Sequence, residues 1–319
     1  MNIVYLGSGQ LGINSLNALH SSDHCLKLVV TQPAHPAGRG KKQRPTPTAV
    51  WAREKSVELL ESENVNSPET MQKIARAEAD LLVVIAFGQK LGSELISLPP
   101  FGSINVHTSL LPKYRGAAPV NWAVINGEEK TGISIITLAE KMDAGDILAQ
   151  SATPIGPRES AGQLHDRLAE LAVPLLMKTI DQIAAGTAVY RPQDHSKATL
   201  APKLKKSDGF LDFNEPAEKL ERKIRGFWPW PEASSYYLSR GTGKCSRLII
   251  AEARVAKKTS SQPLPPGTVD KDLHIQCGTD TLAVTKIKPA GGKLMDFMDF
   301  AHGRHTAAGD QFVGIKPQQ

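Results

Sequence analysis

The residues from Leu81 to Ala86 form the stretch that most limits what this chain can fold into. They read LLVVIA, without one polar side chain. A strand this uniformly apolar is buried on both faces, which is typical of the centre of a parallel sheet. Strand-like runs at Asn2–Leu6 and Leu26–Thr31 are each followed by a helix-like run, and the alternation continues to about residue 150. The pattern predicts an α/β fold, a Rossmann-like, open and mostly parallel sheet with helices on both faces.

A second stretch carries the polar side chains that suggest chemistry. In the short strand Ile104–His107, the alternation of side chains places Asn105 and His107 on one face. A later strand, Gly132–Leu138, leads into a loop that contains Asp143. Loops at strand ends are where α/β proteins place their active residues. We therefore predict that Asn105, His107 and Asp143 converge, where they would polarise a carbonyl, move a proton and orient the imidazole.

Each of these residues also has a plainer explanation. A lone strand histidine such as His107 is often hydrogen-bonded within a core, and Asp143 could cap a turn. Two enzyme classes are disfavoured. A zinc site needs three or four converging ligands, whereas this stretch has one histidine, and the G-x-S-x-G motif of many serine hydrolases does not occur. The residues alone indicate acyl or one-carbon transfer without a metal, and they leave the donor open.

The turn after the first strand, Gly7–Gly12, reads GSGQLG and matches the G-x-G-x-x-G pattern of dinucleotide-binding turns. In that class an acidic residue at the end of the second strand contacts the ribose, but Thr31 and Gln32 stand there in this chain. The glycines can also serve a tight turn and close helix packing. A nicotinamide oxidoreductase is therefore an alternative that the missing acidic residue counts against.

Basic residues are concentrated in three places. The net charge is +6 over 319 residues, and the clusters lie at Arg39–Arg44, Lys203–Lys206 and Arg222–Arg225. Any one cluster could be ordinary solvated surface, but three together favour a polyanionic partner. The first cluster falls in Gln32–Pro47, which lacks a periodic apolar pattern. We predict that this segment is a long exposed loop able to grip phosphates.

Composition also bears on location. No apolar run approaches the roughly 20 residues needed to span a bilayer, so we expect no membrane contact. The chain begins with a strand-like run rather than a secretory or transit signal. Its three cysteines are far apart, which indicates neither a disulfide framework nor a metal site. These features predict a cytoplasmic protein.

The second half of the chain predicts a separate domain. A helix from Ser160 to Gly186 closes the first domain, for which we predict the bounds 1–189. The polar stretch 190–207 contains prolines and lysines and is predicted to be a basic linker. From 208 to 319, short strand-like runs separated by turn residues predict a small β-barrel of the OB-like type.

The central stretch resembles a known family. The motifs that carry the resemblance are the Asn105-x-His107 strand, the Ser109-Leu110-Leu111-Pro112 loop, Arg115-Gly116 and Met142-Asp143-Ala144-Gly145-Asp146. Together they are similar to the catalytic region of the folate-dependent formyltransferases. The resemblance implies that a formyl group passes from 10-formyltetrahydrofolate to an amine through a tetrahedral intermediate. It also implies that Asn105, His107 and Asp143 are the catalytic residues.

Over nearly its full length the chain resembles the family members that formylate initiator methionyl-tRNA. The Thr31–Lys42 segment matches their basic insertion loop, Phe227–Pro231 resembles their aromatic-proline element, and the C-terminal domain has the size of theirs. Members that act on glycinamide ribonucleotide would end near about residue 200. Members that act on amino-sugar nucleotides share the two-domain plan and are the nearest alternative. The turn Gly7–Leu11 departs from the usual Thr-Pro and aromatic residue, which bears on how the methionine side chain is enclosed.

The remaining site residues are those that the resemblance implies. The tetrahydrofolate co-substrate is expected to contact Ser109, Leu110, Leu111, Pro112, Phe87 and Gly88. The tRNA is expected to contact Arg39, Lys41, Lys42, Lys203, Lys205, Lys206 and the barrel at 208–319. We expect a monomer that uses no metal. A catalytically silent module that binds tRNA or folate without turnover is a further alternative.

Overall fold

The computed structural model describes residues 1–37, 42–257 and 264–314. Contacts group the chain into two compact units. The first comprises Met1–Pro119, Lys130–Pro154 and His165–Pro202, and the second comprises Val120–Glu129, Ile155–Leu164 and the chain from Lys203 onward.

Fifteen strands and eight α-helices are assigned within the described residues. The strands are β1 (Asn2–Gly7), β2 (Cys25–Thr31), β3 (His35–Ala37), β4 (Lys42–Arg44), β5 (Leu59–Glu61), β6 (Leu81–Ile85), β7 (Ser103–His107), β8 (Lys130–Thr137), β9 (Ile147–Pro154), β10 (Ala233–Leu238), β11 (Cys245–Ala256), β12 (Ile275–Gln276), β13 (Thr281–Pro289), β14 (Met295–Asp296) and β15 (Gln311–Val313). The helices are α1 (Ile13–His20), α2 (Pro47–Glu54), α3 (Pro68–Arg76), α4 (Ser93–Ile96), α5 (Pro119–Ile125), α6 (Ala161–Ala184), α7 (Ala217–Gly226) and α8 (Phe297–Arg304). None of the described helices is both long enough and apolar enough to cross a membrane.

A seven-stranded sheet in the order β5-β2-β1-β6-β7-β8-β9 forms the centre of the first unit. Strands β5, β2, β1, β6 and β7 are parallel, and β8 and β9 extend one edge in the antiparallel sense. The order reverses between β1 and β6, and open α/β sheets bind ligands at the carboxyl edge of such a point. The predicted α/β sheet is confirmed.

The central strands are fixed by their apolar side chains. Every residue of β6 is buried, as its sequence predicts. Its alternate residues Leu82 and Val84 pack in one cluster with Val4 and Leu6 of β1. Burial of one such side chain contributes about 1.5–3 kcal/mol. The cluster therefore holds β1 and β6 in register, so that their carboxyl ends lie at one edge.

The second unit contains an antiparallel sheet in the order β12-β13-β11-β10-β15, with β14 paired to β13. Residues between the strands link its two ends. Thr268 bridges Gln311 of β15, and Val269 bridges Ile275 of β12. The sheet thus nearly closes on itself, and the predicted C-terminal barrel is confirmed as a barrel-like sheet.

The Gln32–Pro47 segment is more regular than the long exposed loop predicted from its sequence. Its described residues include the hairpin of β3 and β4, in which His35 lies opposite Arg44. Pro47 already begins α2, whose N-cap is Thr46. Strands of three residues are too short for alternation to be recognised in a sequence, which is why the hairpin was not predicted.

The first unit also continues beyond the boundary at residue 189 that the sequence suggests. Its last range ends at Pro202, inside the stretch predicted to be a linker. Arg191 exchanges two backbone hydrogen bonds with Ile147 of β9, and Ala201 donates one to the carbonyl of Arg115. An extended polar segment that bonds through its backbone shows no apolar period, so it resembles a linker in sequence.

Candidate active site

His107 ends strand β7, where pairing with Ser134 of β8 fixes its backbone. The residue is buried, with 5% of its surface exposed. Its Nε2 lies 2.9 Å from the carbonyl oxygen of Tyr114, which can only accept, so Nε2 carries a hydrogen. Its Nδ1 lies 3.7 Å from Oδ2 of Asp143. The Tyr114 carbonyl and the Asp143 carboxylate thus orient the imidazole, and Nδ1 is the nitrogen left for a substrate.

Asp143 lies in the loop between β8 and β9. Its φ is 51°, in the left-handed region, which is uncommon for a residue with a side chain. Oδ2 accepts a 2.8 Å hydrogen bond from the backbone N–H of Gly116. A Cβ atom at Gly116 would lie 2.6 Å from the carbonyl oxygen of Ala201, and φ there is 123°, so this position requires glycine. The Asp143 carboxylate is therefore held toward His107 by a backbone donor.

Asn105 precedes His107 by two residues on β7. Side chains two apart on a strand share a face, so the amide lies on the same side as the imidazole. Asn105 is partly exposed, and among the described residues its side chain has no hydrogen-bond partner. An amide without a protein partner can donate to an oxygen atom of a substrate. The structure thus places the three predicted catalytic residues at the same end of β7.

The loop after β7 is organised by the hydroxyl of Ser134. This Oγ donates to the carbonyl of Ser109 at 2.7 Å and accepts from the N–H of Leu111 at 3.0 Å. Nε2 of Gln150 donates to the same hydroxyl at 2.8 Å and to the carbonyl of Leu111 at 3.0 Å. These hydrogen bonds therefore fix the path of this loop.

The side chains predicted to contact folate in this loop differ in their exposure. Ser109 is fully buried, and its hydroxyl donates to the carbonyl of Lys113. Leu111 is buried in a small apolar cluster. Leu110 and Pro112 are partly exposed. The two partly exposed side chains and the loop backbone are the parts that can meet a ligand.

Phe87 and Gly88 follow the carboxyl end of β6. The Phe87 side chain is 2% exposed and belongs to the core beside this strand. Its carbonyl oxygen accepts hydrogen bonds from the Ser8 hydroxyl and the Gln32 amide, each at 3.1 Å. Gly88 is exposed. The Phe87 side chain therefore packs in the core at this strand end, whereas Gly88 lies at its exposed surface.

Gln193 and Arg115 also belong to this region, but no sequence pattern indicates their role. Gln193, which is 6% exposed, donates to the carbonyls of Asp143 and Gly145. Its own carbonyl oxygen accepts two hydrogen bonds from Arg115. Arg115 stands in a quoted motif but without an evident role, and Gln193 stands in an aperiodic polar stretch that offers no signal.

Comparison with known proteins identifies the family. Residues 1–180 match the model described as formyl transferase, and residues 203–305 match the one described as formyl transferase, C-terminal domain. The chain belongs to the formyltransferase family.

Individual relatives agree with this assignment. A methionyl-tRNA formyltransferase of Agathobacter rectalis is 35% identical over 317 residues, which cover 98% of this chain and 100% of the relative. The crystal structure of HypX from Aquifex aeolicus in complex with tetrahydrofolic acid has a TM-score of 0.61 at 15% identity. The match covers 96% of this chain, which spans about half of HypX (48%). An N-formyltransferase of Helicobacter canadensis, in complex with folinic acid and dTDP-3-aminofucose, has a TM-score of 0.61 at 15% identity, with 88% of this chain and 98% of that one covered. At these identities the two structures establish the fold alone.

In this formyltransferase an open cleft of about 540 Å³ borders the loop that carries Asp143. Its lining residues are Lys90, Ala139, Glu140, Lys141, Ala144 and His195. Lys90, Glu140 and Lys141 bring charged groups to this cleft, which suits a substrate with polar groups. No group of three or more His, Cys, Asp or Glu side chains that could hold a metal occurs in the part of the chain that the structure describes.

The basic residues predicted to contact tRNA are exposed wherever the structure describes them. In the first unit this holds for Lys42. In the second unit it holds for Lys203, Lys205 and Lys206. Arg39 and Lys41 lie outside the described residues.

Proposed function

We propose that this protein transfers the formyl group of 10-formyltetrahydrofolate to the free α-amino group of initiator methionyl-tRNA. The product is N-formylmethionyl-tRNA, which serves translation initiation. The observation that carries the proposal is the imidazole of His107, oriented by Tyr114 and Asp143. It lies on the same face as the amide of Asn105, which has no hydrogen-bond partner among the residues that the structure describes. This arrangement suits attack on a carbonyl carbon. The similarity to a methionyl-tRNA formyltransferase over 98% of the chain supports the choice of acceptor.

Asn105 and His107 act on the oxygen atom of the formyl group. The attacking α-amine must be neutral, and an α-amino pKa of about 7.7–8.0 makes it partly neutral at pH 7. As its nitrogen bonds to the formyl carbon, negative charge develops on the oxygen. The Asn105 amide and the protonated Nδ1 of His107 donate to that oxygen in the tetrahedral intermediate. One such donor is worth about 2.7–4 kcal/mol of transition-state stabilisation.

Asp143 faces the imidazole and accepts a proton. The Gly116 N–H holds Oδ2 of Asp143 at 3.7 Å from Nδ1 of His107, so the carboxylate faces the imidazole. Directly or through a water molecule, the carboxylate takes the proton that the amine loses on attack. It returns that proton to N10 of the folate as the bond between N10 and the formyl carbon breaks, so that tetrahydrofolate leaves and the formylated amine remains. General acid–base help of this kind contributes on the order of 10²–10⁴ in rate.

The folate co-substrate is assigned to the carboxyl ends of β6 and β7. Leu110, Pro112 and Gly88 offer partly or fully exposed surface to it. The buried side chains of Ser109, Leu111 and Phe87 hold the backbone that carries those contacts. This assignment extends to the cleft beside the Asp143 loop, where the lysines of the rim can meet the negative charge of a folate tail.

The tRNA is assigned to two groups of basic residues. Arg39, Lys41 and Lys42 contact the acceptor end, whereas the lysines of the Lys203–Lys206 stretch and the barrel at 208–319 follow the phosphate backbone. Exposed lysines suit this role because they displace counterions from phosphates. The enzyme acts as a monomer.

A formyl-transfer assay with three acceptors tests the proposal. The protein is incubated with 10-formyltetrahydrofolate and charged initiator methionyl-tRNA, uncharged tRNA, or a dTDP-linked amino sugar. We expect formylation of the charged tRNA alone, because only it presents both an α-amine and the polyanion. Formylation of the amino sugar alone would replace the proposal with a sugar formyltransferase. Binding of tRNA or folate without any product would indicate a silent binding module.

A further inference from the structure

Gln193 forms hydrogen bonds to the loop that carries Asp143, although it lies outside β8, β9 and the loop between them. It lies in the extended segment after α6, where 6% of its surface is exposed. Its Nε2 donates to the carbonyl oxygen of Asp143 at 2.9 Å and to that of Gly145 at 2.7 Å. Both acceptors are backbone groups of the loop that carries the carboxylate, so this one amide ties the loop at two points.

Arg115 holds the other end of the same amide. Its guanidinium is buried, with 4% of the residue exposed, and Nη2 and Nε donate to Oε1 of Gln193 at 2.6 and 3.2 Å. Nη2 also lies 2.9 Å from Nδ1 of His195, which must accept because a guanidinium only donates. Hydrogen bonds from a charged donor are roughly twice as strong as neutral ones. Arg115 therefore anchors Gln193 firmly.

The chemistry of the partners fixes which way the amide points. A guanidinium has no acceptor and a carbonyl oxygen no donor, so Oε1 of Gln193 must face Arg115 and Nε2 must face the loop. Arg115 also immediately precedes Gly116, whose N–H binds the Asp143 carboxylate. Arg115, Gly116, Asp143 and Gln193 are thus joined in a closed ring of hydrogen bonds and covalent backbone.

We propose that Gln193, anchored by Arg115, is a positioning residue that sets the backbone of Asp143 and so directs its carboxylate at His107. The proposal rests on the catalytic role proposed above for Asp143. The left-handed φ of 51° at Asp143 is a costly conformation that persists only where neighbouring groups hold it, and the two bonds from Gln193 do so. Gln193 supplies no group to the reaction itself. Its loss lowers kcat and leaves KM for both substrates unchanged.

The discriminating substitution is Gln193→Glu in the full-length protein. It is nearly isosteric and keeps an oxygen for Arg115, but it replaces the donor that faces the two loop carbonyls. We expect kcat for methionyl-tRNA formylation to fall by about 10- to 100-fold, because two hydrogen bonds are removed. The control is Ser103→Ala, which removes a part-buried hydrogen bond to the Ile96 carbonyl at the other end of β7. Thermal unfolding of both variants measures how much stability each one loses.

A double substitution separates positioning from general damage. Because Gln193 acts through Asp143, Gln193→Glu added to Asp143→Asn is expected to lower the residual rate by less than about twofold. Three results would overturn the proposal. They are a double variant in which the rate losses of the two single variants multiply, a raised KM with unchanged kcat in Gln193→Glu, and a kcat loss in Ser103→Ala equal to that in Gln193→Glu.

Should Gln193→Glu fail to fold, Arg115→Lys is measured instead, since it keeps the charge but cannot donate two hydrogen bonds to Oε1 of Gln193 in the same way. Absence of methionyl-tRNA formylation by the wild type would overturn the proposed function, and normal kcat in Asp143→Asn would overturn the catalytic role of Asp143. Normal kcat in Gln193→Glu with an impaired Asp143→Asn would overturn this inference alone.

Discussion

A Cβ atom on Gly12 would lie 1.7 Å from the hydroxyl oxygen of Tyr5. The backbone at Gly12 is right-handed, with φ −86° and ψ −8°, so its conformation alone does not require glycine. The lack of space requires glycine, because the Tyr5 ring is fully buried beneath the turn. The last glycine of the G-x-G-x-x-G match is therefore explained by packing against a tyrosine of β1.

The first prediction concerns this pair. Gly12→Ala is expected to destabilise the protein by about 1–3 kcal/mol through overpacking. The Tyr5 hydroxyl is buried without a hydrogen-bond partner among the described residues, so Tyr5→Phe should cost little. The double variant should recover most of the loss, because the atom that clashes is gone. Urea unfolding of the four proteins measures the coupling, and additive effects would contradict it.

The architecture of the first unit could be predicted from sequence because apolar side chains specify it. The apolar run at Leu81–Ala86 predicts a central strand, and Leu81–Ile85 form that strand and are all buried. The polar face of β7 could be predicted for a related reason, since alternation fixes which side Asn105 and His107 share. Local sequence patterns were thus enough to predict the fold of the first unit and to name the candidate catalytic residues.

What sequence patterns could not supply is the support around those residues. Gln193 lies 50 positions from Asp143, in a stretch without periodicity, and the bonds between them depend on tertiary structure. The segment resembled a linker because its polar groups are satisfied by the first unit rather than by a helix or strand of its own. The β3–β4 hairpin was missed because its paired strands have three residues each.

The second prediction concerns the two proposed oxyanion donors. Asn105→Ala is expected to lower kcat by about 10²–10³, the usual effect of losing one preorganised donor. His107→Ala is expected to lower it further, because it also removes the partner of Asp143. Steady-state kinetics with both substrates, together with thermal unfolding, measure these effects. Near-normal turnover in either variant that folds would contradict the assignment of that residue.

The third prediction concerns the exposed lysines Lys203, Lys205 and Lys206. Replacing all three by alanine is expected to raise KM for methionyl-tRNA and to leave KM for the folate unchanged. The slope of log affinity against log salt should become shallower by about 0.9 for each duplex phosphate that the variant no longer neutralises. Arg39→Ala is expected to act in the same way, on tRNA use rather than on folate binding.

The matched control for the lysines is Lys73→Ala. Lys73 is also an exposed lysine, and it forms an ion pair with Glu69 one helical turn away on α3. It should alter neither KM nor the salt slope, since an exposed pair contributes little. An equal change in the control would show that net charge, rather than a tRNA contact, is responsible.

The last prediction concerns Tyr237 in the second unit. Burial, and then the hydrogen bond to the Asp310 carboxylate, raise its pKa to about 12. The folded protein therefore keeps this phenol neutral at a pH where the unfolded chain, with a tyrosine pKa of about 10, has already lost the proton. Its contribution to stability is complete below about pH 10 and declines as the pH rises toward 12. The stability advantage of the wild type over Tyr237→Phe, measured by urea unfolding, should shrink across that window, and an advantage constant with pH would contradict it.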